Sequence, residues 1–155
     1  MNEAIVENWN SIVQPDDVVY VLGDIMLNNN EQGLELLKSL KGKIHIILGN
    51  HDTATREALY KDCENVVEVV LAERLKYRGY HFFMTHYPCF TGNLDDEKPL
   101  KQRMISLCGH THTKNSFLDW EQSPIFHCEV DTNDCYPWLL DDIIKNMENY
   151  NKIFG

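Results

Sequence analysis

Residues 44–52 read Ile-His-Ile-Ile-Leu-Gly-Asn-His-Asp, an apolar run that stops abruptly in a polar turn. The first five residues are typical of a buried strand, and glycine followed by asparagine favours a turn. His51 and Asp52 come next, so the strand delivers polar side chains to its own carboxyl end. In open α/β folds, functional groups collect at that edge of the sheet. Alone, the stretch could also be a tight turn with Asn50 at a positive φ.

The first half of the chain alternates helical and strand patterns around this stretch. Apolar residues at helical spacing predict helices, and continuous apolar runs predict strands that are buried on both faces. Asn2 is a candidate cap for the first helix, and Gly42 is a candidate stop for the second. The order α–β–α–β–α predicts a layered α/β domain with parallel central strands. The predicted elements are a helix over 3–13, a strand over 18–22, a helix over 34–40, the strand over 44–48 and a short helix over 53–60.

The second half of the chain shows short strand patterns separated by turns. The predicted strands cover 66–71, 80–85, 104–108 and 125–130, and the last predicted element is a helix over 138–150. No internal repeat, linker or low-complexity segment interrupts the pattern. We therefore predict one domain over residues 1–155.

Composition and charge argue against several classes of protein. The 155 residues are 43% hydrophobic and 25% charged, as in an ordinary globular protein. The net charge of -10 argues against a general nucleic-acid binder, but bound cations could still reverse the local field for a phosphate ester. No segment reaches transmembrane length, so no membrane partner is expected. Five cysteines without a C-x-x-C pair predict reduced thiols and a cytoplasmic location.

Potential metal ligands follow four of the predicted strands. A strand holds its own end rigidly, as a metal site requires. Imidazole combined with carboxylate and amide oxygens suits Mn, Fe, Zn or Ni. Each residue alone has a simpler interpretation as a turn carboxylate, a turn amide or a core histidine, but together they favour a divalent metal site. The candidate ligands are Asp24, Asn50, His86, His110 and His112.

Three histidines lie outside this pattern. His45 and His81 interrupt strands and are expected to face a polar layer. His127 lies in a late strand without ligand-like neighbours in the sequence. We predict structural roles for all three.

Four motifs carry a resemblance to a known family. They are Leu22-Gly23-Asp24, Gly49-Asn50-His51-Asp52, Thr85-His86-Tyr87-Pro88 and Gly109-His110-Thr111-His112, in this order. With this order and spacing, the chain resembles the calcineurin-like metallophosphoesterases. The resemblance implies an α/β fold, a two-sheet sandwich flanked by helices in α-β-β-α layers. It also implies a two-metal centre that hydrolyses phosphate monoesters or diesters with a metal-activated water.

The resemblance further implies a role for each matched residue. Asp24 would bridge both metals. The second metal site would be completed by Asn50, His86 and His110, and His112 would serve the first site. His51 would stand beside the phosphate, where it would stabilise the transition state or protonate the leaving oxygen.

One motif of the family is missing from this sequence. The family pattern begins with Asp-x-His at the end of its first strand, and none of the seven histidines here follows an aspartate at that spacing. We therefore expect the first strand and an N-terminal segment to be absent, which would leave a sheet edge unpaired. Asp24 and His112 alone would hold the first metal weakly, so we expect at most one tightly bound metal. A second copy of the chain, in a homodimer, could cover the open edge.

The sequence leaves more than one function open. The first is a metal-dependent phosphoesterase, and the second is a catalytically impaired remnant that binds one divalent metal or acts only through interactions. A plain interaction module has only the open sheet edge in its favour. The natural phosphate ester is not specified by the sequence, although residues 87–103, with Phe90-Thr91-Gly92-Asn93, are expected to border its pocket. The acidic run Asp95–Glu97 is expected to be a solvated turn.

Overall fold

Seven strands in two sheets, together with four α-helices, make up the part of the chain that the computed structural model describes, residues 2–91 and 98–155. The two-sheet α/β fold that the sequence predicts is confirmed. The acidic run 95–97 and residues 92–93 of the expected pocket border lie outside the described residues. The elements are α1 (Glu3–Ile12), β1 (Val18–Val21), α2 (Asn30–Lys38), β2 (Lys43–Ile47), α3 (Ala54–Lys61), β3 (Val66–Val70), β4 (Ala72–Tyr77), β5 (Tyr80–Thr85), a 3-10 turn (Leu100–Gln102), β6 (Met104–Cys108), β7 (Ile125–His127), a second 3-10 turn (Val130–Thr132) and α4 (Leu140–Phe154).

The first sheet is parallel, as the alternating sequence pattern predicts. Its order is β1-β2-β3, with Val19 opposite Ile44 and Ile46 opposite Val69. Helices α2 and α3 connect successive strands, so the carboxyl ends of all three strands share one edge. The sheet therefore delivers the segments that follow β1 and β2 to the same place.

The second sheet has the order β4-β5-β6-β7 and is mixed. Strands β4 and β5 form an antiparallel hairpin, whereas β5, β6 and β7 are parallel. Arg78 and Gly79 connect the hairpin with φ values of 49° and 82°, the left-handed pair that a two-residue type I′ turn requires. The sequence did not predict β4, because Ala-Glu-Arg-Leu-Lys-Tyr contains no β-branched residue. Pairing with β5 stabilises a strand that its own composition does not favour.

Two apolar clusters hold the layers together. The first joins helices α1–α3 to one face of the first sheet and includes Trp9, Leu37, Ile44, Ile46 and Tyr60. The second joins the two sheets to α4 and includes Ile47, Phe82, Leu107, Phe126 and Met147. Ile46 and Ile47 are adjacent in β2 but belong to different clusters, because successive side chains of a strand point to opposite faces. Strand β2 is thus buried on both sides, as its unbroken apolar run predicts.

Side-chain caps mark the beginnings of the helices. Asn2 accepts a hydrogen bond from the Ile5 amide (3.0 Å), which confirms the predicted cap of α1. Asn29 caps α2 through the Gln32 amide (3.1 Å), so this helix begins before the leucine-rich stretch that revealed it. Helix α2 ends at Lys38, and Gly42 (φ 97°) lies beyond it in the loop before β2. None of the helices within residues 2–91 and 98–155 has both the length and the apolar character needed to cross a membrane.

Strand β1 lies at an edge of the first sheet, with β2 as its neighbour among the described strands. Val18, the first residue of β1, is exposed. A strand at an edge presents backbone N–H and C=O groups that can pair with a further strand. The homodimer that would cover this edge stays a prediction.

Candidate metal centre

Four of the predicted ligands converge where their strands end. Asp24 follows β1, Asn50 follows β2, His86 follows β5 and His110 follows β6. Asp24, His86 and His110 each offer one ligand atom, and these atoms lie within 4.8 Å of one another. The Asn50 Oδ1 atom lies 2.9 Å from His86 Nε2 and 3.1 Å from His110 Nδ1. Both sheets contribute ligands, so the cluster exists only once the sandwich has assembled.

His86 is the most deeply buried member of the cluster, with 2% of its surface exposed. Its Nδ1 atom lies 2.7 Å from the Leu22 carbonyl oxygen. A carbonyl only accepts hydrogen bonds, so Nδ1–H donates, and in the neutral ring the lone pair is then on Nε2. Nε2 faces Asp24 Oδ2 at 3.3 Å, on the side of the other ligand atoms. Such a backbone carbonyl behind the ring commonly orients a metal-binding histidine.

The Asp24 carboxylate has one oxygen anchored and one facing the cluster. Oδ1 accepts a hydrogen bond from the His51 amide (2.9 Å), while Oδ2 faces His86. Gly23 and Asp24 have φ values of 91° and 56°. Glycine adopts this left-handed conformation without cost, and aspartate tolerates it better than most residues. The bend ends β1 and holds the carboxylate at the edge of the sheet.

Asp52 connects the two turns that carry Asp24 and Asn50, and the sequence analysis assigned it no role. Its Oδ2 atom accepts hydrogen bonds from the amides of Asp24 and Gly49, both at 2.8 Å. Its Oδ1 atom accepts from the Tyr60 hydroxyl at 2.5 Å. Burial, together with this bond, raises the pKa of Tyr60, so the hydroxyl remains a donor. One sequence signal could have indicated this role: Asp52 is the acidic last residue of the turn motif Gly-Asn-His-Asp.

His110 lies on an exposed loop after β6, with a φ of 75°. Its Nδ1 atom is 3.0 Å from His86 Nε2, and the two rings meet edge-on at a centroid distance of 4.8 Å. The Tyr87 ring lies 4.9 Å from the His110 ring and 5.0 Å from the His86 ring. Tyr87 is itself exposed and forms an aromatic rim beside the ligands.

The two remaining predicted site residues have different positions. His51 is exposed, and its backbone is anchored on both sides: the amide donates to Asp24 Oδ1, and the carbonyl accepts from Arg56 Nη1 at 2.7 Å. His112 lies outside the cluster, with a side chain that is 75% exposed and an Nδ1 atom 3.8 Å from Asp131 Oδ2. A role for His112 at the first metal site stays a prediction.

The donor set of the cluster fits a divalent metal ion. Two imidazole nitrogens, one carboxylate and one amide oxygen bring several lone pairs close together. A cation compensates the mutual repulsion of such atoms, and this mixture of nitrogen and oxygen ligands suits Mn, Fe, Zn or Ni. The carboxylate of Asp24 also supplies negative charge to balance part of the charge on the ion.

A two-sheet α/β fold with these candidate ligands at its strand ends is consistent with a metallophosphoesterase-like protein. The Calcineurin-like phosphoesterase superfamily domain matches residues 2–125. The chain therefore belongs to the calcineurin-like phosphoesterase superfamily, and its residues fit a metal-binding phosphoester hydrolase. The matched range contains His51 and all four clustered ligands.

The chain has sequence relatives in Methanocaldococcus jannaschii and in mycobacteriophages, and its fold is similar to that of a solved structure from Aquifex aeolicus. The uncharacterized protein MJ1445 of Methanocaldococcus jannaschii is 36% identical over 96% of this chain and 76% of its own length. The Gene 66 protein of Mycobacterium phage D29 is 29% identical over 71% of this chain and 65% of its own length. The crystal structure of AQ665 from Aquifex aeolicus, a protein of unknown function, aligns with a TM-score of 0.68 and 22% identity over 92% of this chain and 83% of that chain. This likeness supports the fold, while the names of the relatives state no activity.

Proposed function

We propose that this protein is a metal-dependent phosphoesterase that hydrolyses a small phosphate monoester or diester. The convergence of Asp24, Asn50, His86 and His110 in a chain of this superfamily supports the proposal. A divalent ion held by these residues would neutralise charge on the phosphoryl group and make water a stronger nucleophile near neutral pH. The net charge of -10 makes a small ester a better candidate than a nucleic acid.

His51 is the proposed acid–base residue. Its backbone contacts the Asp24 carboxylate directly, so its position is tied to that of a metal ligand. The residue is also exposed, which leaves the imidazole accessible to a substrate. An imidazole can transfer a proton near neutral pH, as the departing alkoxide of a phosphate ester requires.

We propose one tightly bound ion per chain and Mn²⁺ as the first metal to test. The four clustered ligands are enough for one site. A second ion is expected to be held more weakly, because His112, the residue predicted for the first site, lies outside the cluster.

Metal content and turnover test these proposals together. The chain is stripped with a chelator, reloaded with Mn²⁺, dialysed, and assayed for bound metal and for hydrolysis of bis-p-nitrophenyl phosphate and p-nitrophenyl phosphate. We expect one retained ion per chain and release of p-nitrophenolate that depends on the metal. Two retained ions would contradict the single-site proposal. A protein that holds Mn²⁺ but hydrolyses neither ester would contradict the phosphoesterase proposal.

The second candidate is a metal-binding protein with impaired catalysis. It is favoured by the exposed position of His112 outside the cluster, which reduces the ligands available to a second ion. In that case the chain would retain one ion without turnover, and its function would lie in interactions. The assay above separates the two candidates.

Replacing His51 with alanine is expected to lower the rate of ester hydrolysis by roughly 10²–10⁴-fold, the usual contribution of a general acid or base. The affinity for Mn²⁺ should stay at the parent value, because the His51 contact to Asp24 is made by the backbone amide. Steady-state kinetics and calorimetric titration with Mn²⁺ measure the two quantities.

His81→Ala is the matched control for this variant. His81 lies near the start of β5, at the opposite end of the strand from His86, and is partly exposed. Its removal deletes an imidazole without touching the cluster, so both the rate and the Mn²⁺ affinity should be retained. Equal activity of His51→Ala and the parent would exclude a catalytic role for His51.

A further inference from the structure

A chain of buried polar groups lies behind the histidine loop, residues 109–112, and outside the ligand cluster. His127 is completely buried and Glu129 is 8% exposed. His127 has no ligand-like neighbours along the chain, but the structure places it between two carboxylates, those of Asp119 and Glu129. None of the motifs that identify the family contains these three residues. Their connection to the metal centre is made through Thr111.

Thr111 joins the histidine loop to the buried groups by hydrogen bonds. Its amide donates to Glu129 Oε1 at 3.2 Å, and its hydroxyl donates to the same oxygen at 2.5 Å. The hydroxyl oxygen lies 3.0 Å from His127 Nδ1, and His127 Nε2 lies 2.8 Å from Asp119 Oδ2. The groups form a continuous path from Asp119 through His127 and Thr111 to Glu129. Although Thr111 is on an exposed loop, its hydroxyl therefore points into the protein.

The charges along this path reinforce the hydrogen bonds. Burial opposes protonation of His127, but hydrogen bonds to Glu129 and Asp119 outweigh it and raise the pKa of the imidazole. Burial likewise opposes ionisation of Glu129, but hydrogen bonds from His127 and Thr111 outweigh it and lower the pKa of the carboxyl. Hydrogen bonds to an ionised carboxylate are shorter and about twice as strong as those between neutral groups. Thr111 is thus attached to a charged, buried anchor.

The loop that Thr111 anchors has an unfavourable backbone conformation. His110 and His112, on either side of Thr111, have φ values of 75° and 50°. The left-handed conformation is unfavourable for a residue other than glycine. Such conformations persist where surrounding contacts impose them. Here the contacts of Thr111 with the buried Glu129 lie between the two strained residues.

We propose that Thr111 and Glu129 are positioning residues, which hold His110 in the orientation that the metal centre needs. This inference rests on the proposed metal site and adds residues that do not contact the metal. Fixing the loop in advance means that metal binding does not have to order it, and loss of such outer contacts typically weakens metal affinity about 10–100-fold. The alternative is a purely structural role, in which the buried path stabilises the fold without affecting the ligands.

Thr111→Val tests the proposal, because valine keeps the shape of threonine and removes its hydroxyl. Mn²⁺ affinity is measured by calorimetric titration of the stripped protein, and stability by urea unfolding without metal. We expect Mn²⁺ binding about 10–100-fold weaker than in the parent, in protein that remains folded during the titration. Thr111→Ser restores the hydroxyl and should recover most of the affinity.

Thr113→Val is the matched control. Thr113 directly follows the histidine loop, and its hydroxyl accepts a hydrogen bond from the Asn115 amide, whereas the Thr111 hydroxyl bonds Glu129. The Thr113→Val protein should bind Mn²⁺ with the same affinity as the parent. A Thr111→Val protein that is less stable but binds Mn²⁺ like the parent would establish the purely structural role and overturn the proposal. An equal loss in Thr113→Val would overturn it as well.

Glu129→Gln provides a second approach if Thr111→Val does not fold. It keeps the size of the side chain but removes the charge of the anchor, so Mn²⁺ binding should again weaken. Parent-like binding by Glu129→Gln would count against the proposal. If the parent itself binds no Mn²⁺, the proposed metal site fails and this inference fails with it. If the parent binds Mn²⁺ and the variants match it, the positioning role alone fails.

Discussion

Asp24→Asn is expected to lower the affinity for Mn²⁺ by more than about 100-fold, since even residues behind the ligands contribute about 10–100-fold. The substitution keeps the size of the side chain, and Oδ1 can still accept from the His51 amide. It removes the negative charge of the cluster and turns the atom that faces His86 Nε2 at 3.3 Å into an amide donor or a neutral oxygen. Calorimetric titration with Mn²⁺ measures the loss, and hydrolysis of bis-p-nitrophenyl phosphate should disappear with it.

The same substitution at an exposed turn provides the control for Asp24→Asn. The Asp16 side chain is 98% exposed and lies 3.6 Å from the Lys43 Nζ atom. Asp16→Asn removes one negative charge from the chain without touching the cluster, so Mn²⁺ affinity and turnover should be those of the parent. Tight Mn²⁺ binding by Asp24→Asn would show that the metal is held elsewhere, and the proposed centre would have to be abandoned.

Gly49→Ala is expected to disrupt both the metal site and the local fold. A Cβ atom at this position would clash with Asp24 Oδ1 and would lie 2.9 Å from the Asp24 amide nitrogen. Contacts this short force a shift, and the atoms in question belong to the ligand and to the backbone beside it. We expect a loss of about 1–3 kcal/mol in the free energy of unfolding, as for other overpacked sites, together with loss of Mn²⁺ binding. Urea unfolding and calorimetric titration measure the two effects.

Gly109→Ala is the graded comparison. A Cβ atom there would lie 3.2 Å from the Leu22 carbonyl oxygen, which a movement of a few tenths of an ångström can relieve. This variant should lose less stability than Gly49→Ala and keep measurable Mn²⁺ binding. If Gly49→Ala proved as stable and as competent in metal binding as Gly109→Ala, the close approach of the Gly49 and Asp24 turns would not be needed for the site.

Local sequence signals located the strand ends and the residues that follow them. The apolar run before Gly49 and the one before Gly23 are both bounded by turn residues, and such signals act over a few neighbouring positions. The limits of local signals appear at β4 and at α2. Strand β4 depends on pairing with β5, and the beginning of α2 depends on the Asn29 cap rather than on its leucines. In both places the apolar pattern is weak, and a specific contact determines the local structure instead.

The candidate ligands were likewise predictable one by one, since each follows its own strand. Their convergence was inferred from their positions after strand ends and from the resemblance to a family, and the structure shows it as distances between atoms of Asp24, Asn50, His86 and His110. The residues that support the ligands by hydrogen bonds were not predictable in this way. Asp52 belongs to a motif, but its position in that motif does not reveal its hydrogen bonds, and Glu129 belongs to none of the four motifs.

The contacts of Asp52 and Glu129 explain why the roles of these two residues could not be predicted from the sequence. Asp52 binds the amide of Asp24, which is 28 positions away, and Glu129 binds Thr111, which is 18 positions away. A sequence pattern records which side chains follow one another, so it identifies strands, turns and the ligands at their ends. It does not record which strands become neighbours in the sandwich. The supporting hydrogen bonds come into being only when the two sheets pack and bring those distant turns together.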